Sequence, residues 1–298
     1  MVEQLTGGVV NALARRQPHG GTFHIEDIQD QVELSLMRSG EHDVARAYVL
    51  YRERRNQERA KSKADAAPEA PLLNVTEGGM RRPLDVQALS ASIDAACAGL
   101  GDAVDAAKIL KSTLKDLYDG VAMEEVRKCT ILSARSLIEQ DPAYSFVTAR
   151  LLLNNICCEI LGEAVTQADM ATRYAEYFPK YIKRGIEAEL LDEELGRFDL
   201  PRLAAALDSD RDLQFNYLGL QTLYDRYFLH IEEKRIELPQ AFFMRVAMGL
   251  SLNEVDREAR AIEFYRLLSS FDFMSSTPTL FNSGTRRSQL SSCYLTTV

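Results

Sequence analysis

The chain has 298 residues, of which 46% are hydrophobic, and a formal net charge of −9. That admits one to three domains with a sizeable core, and the acidic balance, with a pI near 5.1, argues against general binding to nucleic acid or to a membrane surface. No apolar run approaches the ~18 residues of a spanning helix, no charged-then-apolar leader opens the chain, and five irregularly spaced cysteines make neither a disulfide framework nor a metal-ligand pattern, which points to a reducing, cytoplasmic setting.

Val2–Arg16 is predicted as an amphipathic helix with Val9, Val10, Leu13 and Ala14 clustered, and Gln17–Thr22 as a turn. Ile25–Ser39 places Ile25, Ile28, Val32 and Leu36 on one helical stripe, and Gly40 stops it. Val44–Arg55 is a second helix. Its basic end runs through Arg59, Lys61 and Lys63 into an Ala/Pro linker, Ala64–Pro71. Cations at a helix C-terminus suit its dipole, so this run reads as a solvated helix end rather than a nucleic-acid patch.

The stretch from Leu72 to Leu153 repeats the plan more fully. LLNVTEGGMRRPLD reads as a β-hairpin turning at Gly78–Gly79. Helices are predicted over Val86–Leu100, Ala103–Leu117, Met123–Glu139 and Tyr144–Leu153. Both halves show helix, break, helix, with an Ala-Arg dipeptide early in the second helix: Ala45-Arg46 and Ala149-Arg150. The pattern reads as tandem small domains with a period of about one hundred residues.

Asn154–Arg211 reads as helical with acidic surfaces. Cys157 and Cys158 are adjacent in an apolar run and read as core or interface. The aromatics of Tyr174–Tyr181 have core spacing. Gly185 and Leu190–Glu194 suggest a turn before a new helix, Leu200–Leu207 a helix with Pro in its first turn, and Asp208–Asp212 a charged link. Gln214–Tyr227 reads as loop then helix, with Arg226 in a structural pair, and His230 reads as a structural residue near a helix end. Pro239–Gly249 and Glu258–Ser270 are predicted helices, the second with its stripe at Ala261, Phe264, Leu267 and Leu268.

The last stretch, FDFMSSTPTLFNSGTRRSQLSSCYLTTV, changes character: few charges, many hydroxyls and one thiol. Thr277–Thr279 and Asn282–Gly284 read as loop, and Ser291–Val298 as a strand. Thr277, Ser288, Ser291 and Ser292 can donate and accept hydrogen bonds and leave room for a polar ligand. Cys293 can be a nucleophile, a redox group or a small buried hydrophobe, and the residues alone leave those alternatives open.

STPTLFNSGTRRSQLSSCYL resembles the start of the catalytic barrel in the large subunit of class I ribonucleotide reductase, and Arg211–Pro239 is similar to that family's helical domain. The family pattern is often Pro-Thr-Pro at the turn, where this chain has Ser276-Thr277-Pro278. The resemblance implies that Thr277, Ser292 and Cys293 line a ribonucleotide pocket, with Cys293 as one reducing thiol whose disulfide partner would lie beyond Val298. It implies a mainly α fold: the end of a first ATP-cone (1–60), a linker (61–71), a second ATP-cone (72–160), a reductase helical domain (161–270) and the first strand of a ten-stranded α/β barrel (271–298). The first cone lacks its hairpin in this reading. In the second, Val75-Thr76-Glu77-Gly78-Gly79 stands where the family has Lys-Arg-Asp-Gly. A Glu beside a triphosphate is unfavourable, so this cone is expected to be degenerate, with Arg81 and Arg82 as the only reason against.

The family's effectors are ATP and dATP. Its radical comes from a metal-containing β subunit, its reducing equivalents from thioredoxin or glutaredoxin, and its α subunits pair as homodimers. The expected activity is reduction of ribonucleoside diphosphates, with the fragment inactive by itself and no metal of its own. Two other readings remain: a non-catalytic regulator built on ATP-cones, and an α-helical scaffold with an incidental strand. Thr277 and the Ser292–Cys293 pair speak against the first, since a pure regulator has no need of them.

Overall fold

The structure is a computed structural model that describes residues 2–16, 25–40, 43–51, 73–293 and 295. Its contacts divide the chain into two units, Met1–Pro71 and Leu72–Val298. The chain is mainly helical, as the sequence implies.

In the first unit, α1 (Val2–Arg16) packs against α2 (Ile25–Arg38), and α3 spans 43–51. Val9, Leu36 and Ala45 are buried. Gly40 ends α2 with φ 82°, a left-handed conformation that only Gly adopts without strain. The expected turn at Gln17–Thr22 and the basic run into Ala64–Pro71 lie outside the described residues.

The second unit opens with the predicted hairpin. β1 (Asn74–Glu77) pairs antiparallel with β2 (Met80–Pro83) across Gly78 and Gly79, both at positive φ. A short β3 (Val121–Ala122) joins β1 in parallel, giving the order β2-β1-β3. Val75, Leu84, Val121 and Val126 form a small core beneath it. Between β2 and β3 come α4 (Val86–Cys97) and α5 (Ala106–Asp116), and after β3 come α6 (Met123–Arg135) and α7 (Tyr144–Leu161). α7 packs against α4 and α6 on the hairpin side and against α10 (Tyr217–Thr222) beyond.

α8 (Met170–Glu187), α9 (Leu200–Ala205), α11 (Pro239–Leu250) and α12 (Arg257–Ser269) build the larger core. A two-strand hairpin, β4 (His230–Ile231) and β5 (Lys234–Arg235), precedes α11, and α13 (Thr277–Asn282) follows α12. Helix starts follow side-chain chemistry: Asp85, Asp105, Asp199, Asn216 and Asp256 each cap the backbone N–H groups that open the next helix. Each such cap is worth about 1 kcal/mol.

Four expectations are corrected. Gly185 lies inside α8, not at a turn, because Leu191 packs where its Cβ would sit, 2.5 Å from Leu191 Cδ1. Asp208–Asp212 is no loose link: residues Ser209–Gln214 form a 3-10 helix that buries Asp212. On α12 the buried stripe runs Ala261, Tyr265, Leu268, while Leu267 is exposed, because the helix presents Tyr265 to polar partners inside the core. His230 is exposed on β4 rather than at a helix end.

Candidate active site

α11 reads PQAFFMRVAMGL, apolar on every side except at Gln240 and Arg245. A helix of that kind is buried all round, and Pro239 through Met248 are buried. A charge at its centre needs a partner and hydrogen bonds, or it costs several kcal/mol. Arg245 Nε donates to Glu237 Oε1 at 2.7 Å, with both side chains fully buried. Glu237 also accepts from the Tyr181 hydroxyl at 2.5 Å and from the Leu229 N–H at 2.7 Å. Burial favours the neutral guanidine, but the Glu237 carboxylate outweighs it and holds Arg245 above its ordinary range.

The far side of the guanidinium faces the tail of the chain. Arg245 Nη1 donates to the Ser283 carbonyl at 2.7 Å and to those of Leu280 and Phe281 at 3.3 Å. Carbonyls at a helix end have no partner within the helix, and here one buried cation satisfies three of them. The turn after α13 is pinned as well. Ser283 Oγ donates to the Val246 carbonyl at 2.7 Å, and the Asp192 N–H donates to the Gly284 carbonyl at 3.1 Å. Gly284, at φ 74°, lies so close to α11 that a Cβ on Gly249 would fall 2.0 Å from its nitrogen.

Thr277–Thr279 therefore opens a helix, α13, where a loop is expected. Pro278 lacks an N–H, which costs nothing in a first helical turn, and the Leu280 N–H bonds back to Ser276 at 3.1 Å. Thr277, the first residue of α13, is exposed, and its Oγ1 lies 3.1 Å from the Tyr227 hydroxyl. Of the loop expected over Asn282–Gly284, Asn282 closes α13 and only Ser283–Gly284 form a turn.

Beyond the turn, Asn282 Nδ2 donates to the Gln289 carbonyl at 2.7 Å. Ser291, Ser292 and Cys293 follow, all exposed. Ser292 Oγ lies 3.9 Å from Cys293 Sγ, and Thr277 shares no hydrogen bond with either residue. The strand expected over Ser291–Val298 is not formed at 291–293 or 295, and residues 294 and 296–298 lie outside the described residues. Among the described residues no strand pairs with this segment, and extended backbone gains its hydrogen bonds only in a sheet. Thus Thr277 opens a helix that is held at both ends, whereas Ser292 and Cys293 are exposed beyond it. A separate cavity of about 320 Å³ lies between α4 and α7, with Ser92, Arg150 and Asn154 in its wall, and it includes none of the three.

A second buried network is invisible at the level of motifs. The Asp212 carboxylate accepts from the Tyr174 hydroxyl at 2.8 Å and from Gln240 Nε2 at 2.7 Å, while the Tyr265 hydroxyl donates to Gln240 Oε1 at 2.8 Å. Burial raises the Asp212 carboxyl to about 7, against the lowering pull of those two hydrogen bonds. The sequence signal for both networks was a polar residue in an apolar helix, Gln240 and Arg245 on α11, and tyrosines at helical spacing on α8.

On the hairpin, both arginines are engaged. Arg81 pairs with Asp119, and Arg82 pairs with Glu77. A phosphate tail would have to displace carboxylates already in place. Among the described residues, no group of three or more His, Cys, Asp or Glu side chains is arranged to hold a metal ion, and no helix is long and apolar enough to cross a membrane.

The model of the "Ribonucleotide reductase, all-alpha domain" matches residues 213–288, which take in Tyr227, Glu237, Arg245 and Thr277. The "ATP cone domain" model matches residues 1–57. The ribonucleoside-diphosphate reductase subunit alpha of Chlamydia trachomatis is 44% identical over 279 residues, covering 92% of this chain and 27% of the relative. The same subunit of Chlamydia muridarum is 42% identical over the whole chain and 29% of the relative. The chain belongs to the ribonucleoside-diphosphate reductase alpha-subunit family. It spans less than a third of those alpha subunits' length. The reductase all-alpha match ends at residue 288, short of Ser292 and Cys293.

Proposed function

We propose that this chain is the part of a class I ribonucleoside-diphosphate reductase alpha subunit that leads into the substrate pocket. The observation that carries the reading is the 42–44% identity to chlamydial alpha subunits over 92% or more of the chain. In this reading the whole protein replaces the ribose 2′-hydroxyl of a ribonucleoside diphosphate with hydrogen. Thr277 and Ser292 hydrogen-bond the substrate. Cys293 is one of two thiols that together supply two electrons and two protons, one hydrogen ending on the 2′ carbon and one in the departing water, as the pair closes to a disulfide. The second thiol is not among Cys97, Cys129, Cys157 and Cys158, which lie on helices of the second unit. It belongs to chain that the reductase relatives have beyond the matched part.

The partners follow from the same reading: a metal-containing β subunit as radical source, thioredoxin or glutaredoxin as reductant, a second alpha subunit, and a cytoplasmic setting. ATP and dATP are the effectors of the whole protein, whose ATP cone domain residues 1–57 match in part or whole. Residues 72–160 form a second, cone-like unit without effector binding, because Arg81 and Arg82 are spent on Asp119 and Glu77. By itself the 298-residue chain does not reduce nucleotides.

The test is to read the open frame through Val298, express the complete product, and assay deoxyribonucleoside diphosphate formation with a β subunit and dithiothreitol. Product that disappears in Cys293→Ser supports the reading. A stop codon directly after Val298, or full activity in Cys293→Ser, overturns it.

A further inference from the structure

The Thr277 hydroxyl lies beside a tyrosine that ends a wider helical turn. After α10 the chain takes a wider turn: residues Leu223–Tyr227 are π-helical, closed by the Phe228 N–H to the Leu223 carbonyl at 2.9 Å, five residues back. One such turn shifts the side chains that follow it around the helix, and single π-turns recur at functional sites. Here Phe228 is buried and Tyr227 lies flat on Phe281, with ring centroids 4.5 Å apart and planes 18° from parallel. Phe242 meets the Tyr227 ring edge-on at 6.4 Å. The ring is fixed on two sides, and its hydroxyl rests 3.1 Å from Thr277 Oγ1.

α13 is thus held at both ends. Arg245 grips its last carbonyls, and Tyr227 meets its first side chain. Either hydroxyl could donate in the pair. A phenol is the stronger donor, being far more acidic than an alcohol. With Tyr227 donating, Thr277 Oγ1 accepts and its own O–H is free to point outward.

We propose that Tyr227 is a positioning residue: its hydroxyl donates to Thr277 Oγ1 and aims the Thr277 O–H at an oxygen acceptor of a ribonucleoside diphosphate. The inference rests on the reading of Thr277 as a substrate-binding residue given above.

The test compares Tyr227→Phe, which keeps the ring stack and removes the hydroxyl, with Thr277→Val and the double variant, all in the complete reductase with its β subunit. Losing one neutral hydrogen bond corresponds to about a fivefold change. The expected result is a KM for the diphosphate about fivefold higher in Tyr227→Phe, unchanged kcat, an unchanged melting temperature, and a double variant no worse than Thr277→Val. A merely structural tyrosine would move the melting temperature and leave KM alone. A normal KM in Tyr227→Phe beside a raised KM in Thr277→Val overturns this inference alone, as do effects that multiply in the double variant. A normal KM in Thr277→Val, or an inactive unmutated protein, overturns the substrate-site reading and this inference with it.

Discussion

Arg245 and Glu237 form an ion pair that reaches no solvent, closed at 2.7 Å and completed by Tyr181, the Leu229 N–H and three carbonyls of the 280–283 segment. The pair joins α8, the β5–α11 connection and the tail that carries Thr277. Removing one member strands the other charge in the core, at a cost of about 3–5 kcal/mol. For a unit of this size, Arg245→Met is therefore expected to lower the melting temperature by about 10 °C. It should also speed amide exchange at Leu280–Thr285. A fall below about 2 °C would mean that the pair contributes little to stability.

Asp212 makes stability depend on pH in the direction opposite to most carboxylates. Burial holds its folded-state value at about 7, while in the unfolded chain it ionises near its ordinary value. Between those two the folded state binds the extra proton, so stability is greatest below the unfolded value, falls as pH rises through the window, and is least above about pH 7. A shift of this size corresponds to about 4 kcal/mol. Denaturant unfolding from pH 4 to pH 8 should show the decline, and Asp212→Asn should flatten it. An identical slope in the variant would remove Asp212 as its source.

Local periodicity and turn chemistry made most elements legible. The hairpin at Gly78–Gly79, the Gly40 stop and the apolar stripe of Leu36 were readable because each depends on residues near in sequence. Arg245 was not, because Glu237 lies eight residues earlier and outside the helix, so no helical spacing announces the pair. Asp212 was not, because Tyr174 reaches it only when α8 packs beside residues 209–214. α13 was hidden for the same reason: TPT is turn chemistry until Arg245 and Tyr227 hold both ends of a six-residue helix. Thr277 could be singled out from its motif, but Tyr227 beside it came from a π-turn that no periodic pattern announces.

The approach of α11 to the tail turn predicts a contrast between two glycines. Gly120 is at φ 86° with open space where a Cβ would go, so Gly120→Ala costs only the left-handed strain, about 1–2 kcal/mol. Gly249 is crowded by the Gly284 backbone at 2.0 Å and Ser283 Oγ at 2.4 Å. Backbone yields poorly, so Gly249→Ala should cost about 3 kcal/mol or more. It should also disturb the Ser283–Thr285 amide resonances, which Gly120→Ala should leave in place. Equal losses of stability would mean that the close approach at Gly284 relaxes freely.

Thiol chemistry separates Cys293 from the other four cysteines without any substrate. The thiolate is the reactive form, so accessibility and ionisation together set the rate. Cys293 is exposed, while Cys157 is buried and burial pushes its thiol far above the ordinary range. Burial also raises the half-buried Cys97, Cys129 and Cys158. Titration with a disulfide reagent at pH 8 should thus show one fast thiol per native chain, lost in Cys293→Ser, with Cys157 reacting only as the chain unfolds. Survival of the fast phase in Cys293→Ser would assign it to another cysteine and leave Cys293 without the free access that a reducing thiol needs.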